Sequence, residues 1–348
     1  MLQDRIEAKW IASFVRVFEL CQVQASETTV ILCETQSRAL TIQLAELALQ
    51  QLGLRPCLLT LPTPLQTAPV PVRSTGASIA LQGHPAAMAA LTAADFIVDL
   101  TLEGLLHAPE LVTILKSGAR VQMISNEHPE ALERLRPDPV LKDKVRRAVQ
   151  QCRAAHWMQV TSDAGTDLRI DLSDTPAVGV WGWTDRPGTI AHWPGGIVVS
   201  FPKANTVNGV LVLDKGDINL TFKRYLQDPV TLRIENDYVI DIEGQGTDAE
   251  LIRRYFAVWN DKEAYAVSHV GWGMNPAARY EALAMYDQRD TNGTELRAYA
   301  GNFLYSTGAN EFAGRYTQGH FDLPVRACTI TLDDTPVVVN GDLQGDLA

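Results

Sequence analysis

Thr28-Thr-Val-Ile-Leu-Cys33 is the stretch that decides the fold. It is short, uncharged and rich in β-branched side chains, which suits a strand buried on both faces of a parallel sheet. Before it, Ile6, Trp10, Phe14 and Val17 recur at three- and four-residue steps and predict an amphipathic helix. After it, Leu40, Leu44, Leu47 and Ala48 share one helical face, ended by Gly53. The alternation continues with a strand at 57–61, a helix near 85–94, a strand at 96–100, a helix around 109–116 and a strand at 121–124. Short strands separated by helices imply a largely parallel sheet with helices on both faces.

From Trp157 the pattern changes. Leu168, Ile170 and Leu172 alternate with polar residues, and 178–183, 197–201 and 210–213 are further strand candidates. Leu232 and Ile234, then Tyr238, Ile240 and Ile242, flank Asn236-Asp237 as a hairpin. A helix at 249–259 carries Leu251, Tyr255 and Trp259 on one face, and the chain returns to strand at 329–332 and 337–339. The expected organisation is α/β plus α+β: an α/β domain over 1–155 and a β-rich metal-binding domain over 156–348.

The 348 residues are 46% hydrophobic and 20% charged, an ordinary globular balance. A formal net charge of -11 argues against a nucleic-acid partner and against attraction to anionic lipid. No apolar run reaches the length of a membrane span. Asp4, Arg5, Glu7 and Lys9 interrupt any leader-like segment. The five cysteines form no CxxC pair and read as buried reduced thiols, which fits a cytoplasmic protein. Asn292-Gly293-Thr294 reads as a turn, as does Asp333-Asp334.

Seven histidines are candidates for chemistry. His320 stands two positions before Asp322, and on an extended segment residues two apart point the same way, so one metal ion could accept both. The spacing alone is weak, because chance supplies a His-x-Asp in roughly a third of chains with this many histidines. His269 lies in Val267-Ser-His-Val-Gly-Trp-Gly-Met274, where it is either a core histidine with a polar partner or a ligand. Two histidines and one carboxylate make the facial set of oxygen-activating Fe(II) enzymes, with positions left open for O2 and a chelating substrate. There is no Walker loop, no GxGxxG after a strand, no GxSxG elbow and no HExxH.

The segments Ser268-His-Val-Gly-Trp-Gly273, Gly301-Asn-Phe-Leu-Tyr-Ser-Thr-Gly308 and His320-Phe-Asp-Leu-Pro324 resemble the 2,5-dihydroxypyridine 5,6-dioxygenases of nicotinate and picolinate breakdown. Leu105-Leu-His-Ala-Pro109, His192-Trp-Pro-Gly195 and Gly209-Val-Leu-Val-Leu-Asp-Lys-Gly216 resemble them too. The resemblance implies an extradiol-type enzyme that opens a hydroxypyridine ring with O2. It implies Fe(II) on His269, His320 and Asp322, with Ser306 close to the metal as either ligand or hydrogen-bond anchor. It also implies that His107 and His192 face the bound ring as acid and base. Structural alternatives stand beside these roles: His107 could precede the helix from Pro109, and His192 could stack beside Trp193. Trp193 and Trp272 could flank a flat substrate or pack the core. A homo-oligomer is expected on the same ground.

The architecture also resembles the thermophilic leucyl aminopeptidases, which use two metal ions. Their ligands Glu, Glu and His correspond here to Asn205, His269 and Leu304, and only His320-x-Asp322 remains. An amide, an imidazole and an alkyl group cannot hold two dications together. A two-metal aminopeptidase is therefore the lesser alternative.

Overall fold

A computed structural model describes residues 3–67 and 77–348. Thr29–Glu34 is the second strand of a five-stranded parallel sheet that runs from Cys57–Leu61 through Phe96–Leu100 and Arg120–Ile124 to Ile190–Trp193. Every residue of Thr29–Glu34 is buried. Val30 and Leu32 pack with the helices Pro85–Thr92 and Leu111–Lys116, while Ile31 and Cys33 pack with Ala8–Leu20 and Ala39–Gln51. Successive side chains thus enter two cores, as a strand buried on both faces requires. Trp10, Phe14 and Val17 form the inner face of the first helix. Ile6 lies before that helix and is exposed, and Leu47 also faces outward, against expectation.

Two differences from the sequence reading shape the sheets and the core. A helix at Pro139–Ala154, absent from it, packs Leu141, Val145, Ala148 and Cys152 into the main core. The strand Ile190–Trp193 lies beyond the expected division near residue 155, yet it pairs parallel with Arg120–Ile124 in the first sheet. His192 therefore hangs from the first sheet and not from the β-rich half.

The strands of the rest of the chain form an eight-stranded sheet, a two-stranded ribbon of Ile218–Asn219 and Arg224–Tyr225, and a five-stranded sheet. The last runs in the order Arg315–Val325, Phe303–Asn310, Val267–Gly273, Ile197–Ser200 and Ala177–Val180. Val270, Trp272, Phe303, Tyr305, Phe321 and Leu323 turn one face of this sheet into the core. By the two-residue period, His269, Ser306, His320 and Asp322 belong to the other face. The expected hairpin forms, with Asn236 and Asp237 both at positive φ, and Gly293 takes a left-handed φ of 108° in the Asn292-Gly293-Thr294 turn.

Trp193 and Trp272 are wholly buried, so core packing, not substrate stacking, is their role. Four cysteines are buried free thiols as expected, whereas Cys57, on an edge strand, is exposed. Among the described residues no helix is long and apolar enough to cross a membrane.

Candidate metal centre

His269 lies directly across from Ser306 on the adjacent strand, and Ser306 lies across from Asp322 on the next. These three form a row over one face of the sheet, and His320 joins it from two residues before Asp322. One donor atom from each of His269, His320 and Asp322 lies within 4.8 Å of the others. Among the described residues this is the one cluster of its kind. Asp322 Oδ1 stands 3.3 Å from His320 Nε2 and 3.8 Å from His269 Nε2. Adjacent ligands of an ion bound at about 2.1 Å stand about 3 Å apart, so small side-chain shifts would close the set on one cation. Two imidazoles and one carboxylate on one side of an ion are the donor set of non-haem Fe(II), and the residues present fit it.

His269 is held in the form a metal would require. A bulge makes Ser268 the extra residue between the pairs Val267–Thr307 and His269–Ser306. Such a bulge re-aims side chains, and here Ser268 and His269 meet. Ser268 Oγ donates to the Ala309 carbonyl at 2.6 Å, so at 3.2 Å it accepts from His269 Nδ1–H. That tautomer leaves the Nε2 lone pair free for a cation. Burial, moderated by Asp322, pushes the His269 pKa down to about 3, so the imidazole is neutral.

Asp322 is fully buried in protein. Burial by itself raises its pKa, but Arg297, His320 and His269 together hold the carboxyl well below the usual carboxylate range. Ser306 donates to Oδ1 and acts here as a hydrogen-bond anchor, while Arg297 Nε reaches Oδ2 at 2.5 Å. Arg297 has no counterpart in the sequence reading. It is placed by the short helix Thr294–Ala298, whose entry is fixed by Glu127. That buried carboxylate accepts from the amides of Asn292, Gly293 and Thr294 at 2.7, 2.9 and 3.1 Å. Glu295 in the same helix is paired with Arg134 at 2.5 Å.

His107 and His192 come from the first sheet. Asp99, at the end of Phe96–Leu100, accepts from the amides of Thr101 and Leu105, and Glu34 accepts from Leu102. This pins the loop carrying His107 at the carboxyl ends of the parallel strands, where open α/β sheets bind ligands. The His107 ring lies 5.5 Å from that of His320. It precedes the helix at Leu111–Lys116, but it also lines a cavity of about 260 Å³ with Leu102, Pro109, Trp259, Thr317 and Gln318. Crowding by protein lowers the His107 pKa, but its outer side stays exposed to the cavity, where water moderates the effect. His269, His320 and Asp322 do not line that cavity; His107 joins it to them.

His192 is buried and outside the cavity wall. Its Nδ1 lies 2.7 Å from the Pro194 carbonyl, which can only accept, so Nδ1 carries the proton and Nε2 is a bare acceptor. Burial, with a smaller push from the Arg297 charge, lowers its pKa to about 4.

The aminopeptidase positions are occupied differently. Asn205 lies in a left-handed turn with its amide on Asp237, and Leu304 is packed among apolar side chains. One carboxylate, already shared with Arg297, cannot bind two dications.

The model of the 2,5-dihydroxypyridine 5,6-dioxygenase (NicX) family matches residues 9–345. The chain is 38% identical over 334 residues to the 2,5-dihydroxypyridine 5,6-dioxygenase of Pseudomonas putida, covering 95% of this chain and 94% of the relative. The structure of the 2,5-dihydroxypyridine dioxygenase from P. putida KT2440 superposes with a TM-score of 0.90 at 37% identity, over 99% of both chains. AmpT from Thermus thermophilus shares the fold, with a TM-score of 0.66 at 13% identity over 97% of this chain and all of AmpT. With a family model spanning nearly the whole length and a relative this similar, the chain belongs to the 2,5-dihydroxypyridine 5,6-dioxygenase family.

Proposed function

We propose that this protein opens the ring of 2,5-dihydroxypyridine between C5 and C6 with O2, giving N-formylmaleamate, using one Fe(II) held by His269, His320 and Asp322. The observation that carries the reading is the grouping of these three donors on one sheet face beside His107, in a chain of this family. Bound iron would supply O2 activation and a lowered pKa for a ligated ring hydroxyl. Atoms balance, since both oxygens of O2 enter the product and one carbon–carbon bond breaks.

The protein groups supply orientation and proton handling. The 2,5-substituted ring lacks the second adjacent hydroxyl of a catechol, so side chains must fix it. His107, on the cavity wall next to His320, is suited to hydrogen-bond the ring. His192, with Nε2 bare and the ring neutral, is suited to accept a proton from the ring N–H or 2-hydroxyl. Arg297 keeps Asp322 ionised and offers positive charge where negative charge gathers on the substrate.

Oxygen uptake tests the reading. Protein loaded anaerobically with Fe(II) should consume one O2 per 2,5-dihydroxypyridine and release N-formylmaleamate. Absence of uptake, with release of chromophore from a leucyl anilide under Co(II) or Zn(II), would reverse the assignment in favour of the aminopeptidase alternative.

A further inference from the structure

We propose that Tyr255 is a positioning residue of the metal centre, its phenol hydroxyl clamping the backbone of His320 so that the imidazole is presented to Fe(II). The inference rests on the iron site proposed above and adds a residue from outside the sheet that bears the ligands.

His320 lies on Arg315–Val325, the edge strand of its sheet. An edge strand leaves alternate N–H and C=O groups without a neighbouring strand, and it frays or shifts there more readily than a central one. Tyr255 fills that place at His320. Its hydroxyl donates to the His320 carbonyl at 2.6 Å and accepts from the His320 amide at 3.0 Å. A phenol has one proton and lone pairs to spare, so both bonds form together. One oxygen atom thus does for His320 what a residue of a flanking strand would do.

The clamp is itself rigid. Tyr255 projects from the helix Gly246–Val258 and is 1% exposed. Its ring packs against Phe321 with centroids 4.4 Å apart, and against Phe256 and Trp259 at 5.7 and 5.9 Å. Gly319 lets the strand come this close to the helix end, since a Cβ there would stand 2.9 Å from Ala264 Cβ and 3.3 Å from the Trp259 ring. His320 Nε2 lies 3.3 Å from Asp322 Oδ1, so sliding or twisting of the strand at residue 320 opens the ligand set directly. Hydrogen bonds that orient a ligand typically change metal affinity by about 10- to 100-fold when removed.

The test compares native protein, Tyr255→Phe and Ala249→Gly, the last weakening the same helix at a buried position six residues from Tyr255. Fe(II) dissociation constants are measured anaerobically by competition with a chromogenic chelator, and melting temperatures are measured on the metal-free proteins. We expect Tyr255→Phe to bind Fe(II) at least tenfold more weakly, with Ala249→Gly within twofold of native even where it melts lower. Affinity within twofold of native for Tyr255→Phe, or an equal weakening in Ala249→Gly, overturns the clamp while leaving the iron site standing. Failure of native protein to take up stoichiometric Fe(II) overturns both. Amide exchange on native protein is a second readout that needs no variant. The His320 amide should be protected, and exchange as fast as at an unpaired edge position counts against the proposal.

Discussion

Ser306 stands across from Asp322 on the neighbouring strand and donates to Oδ1, the carboxylate oxygen that faces both imidazoles, while Arg297 takes Oδ2. Both oxygens are thereby oriented before any metal arrives. An ion entering beside Oδ1 meets a carboxylate that is already ionised and aimed, and a neutral His269 whose Nε2 is turned toward it.

Asp322→Ala follows from this. The variant should lose Fe(II), retaining less than about one-hundredth of the native affinity. It should also weaken the metal-free fold, because Arg297 keeps its charge in a mostly buried place and loses this carboxylate. Removing one member of a buried ion pair costs on the order of 3 kcal/mol. Iron analysis and urea unfolding of the purified variant check the two halves. Retention of stoichiometric iron would show that Asp322 is not a ligand.

Ser268→Ala tests the tautomer. With the hydroxyl gone, nothing in that place accepts from His269 Nδ1–H, and the proton is free to sit on Nε2, where it competes with the metal. Fe(II) affinity should fall about 10- to 100-fold, and Ser268→Thr, which keeps the hydroxyl, should restore most of it. Equal affinity in the alanine variant would mean the Ser268–His269 bond has no part in metal binding.

His192→Ala should separate binding from turnover. His192 is not in the ligand cluster, so the variant should keep its iron. Turnover should fall by about 10²- to 10⁴-fold if His192 handles a proton. Loss of metal together with activity would reassign His192 to the support of the ligands.

The parallel sheet was legible because Thr28–Cys33 is short, β-branched and set between helical periodicities. The pairing of His320 with Asp322 was legible because a strand repeats every two residues. The same spacing occurs in His128-Pro-Glu130, where the histidine instead accepts from the Glu130 amide and caps a helix, so spacing alone does not identify ligands. His269 stayed open between core histidine and ligand until the resemblance decided for the ligand. Its place opposite Ser306 depends on a bulge at Ser268, and nothing in Val-Ser-His-Val announces one. Arg297 was invisible for a similar reason: its helix is anchored by Glu127 and Arg134, contacts more than a hundred residues distant in sequence. The helix Pro139–Ala154 did carry a signal, an Asp138 cap before a proline, which apolar periodicity alone overlooks. The strand Ile190–Trp193 was not assignable to a sheet, because its four residues carry no record of which neighbour they pair with.

The buried state of His192 has a consequence for the metal-free protein in acid. Its pKa falls from 6.5 to about 4 on folding, chiefly through burial. The unfolded chain therefore binds the proton more readily, and the stability linked to this group is full above about pH 6.5 and is lost as pH falls toward 4. The whole shift corresponds to on the order of 3 kcal/mol. Burial depresses His269 in the same direction, so native protein should weaken steeply over this window. His192→Gln has no imidazole to titrate, and its urea-unfolding free energy should drop less between pH 7 and pH 4.5, by about 2 kcal/mol or more. Parallel curves for the two proteins would mean that His192 is not held neutral by burial, and with that the argument for its free Nε2 as a proton acceptor would fail.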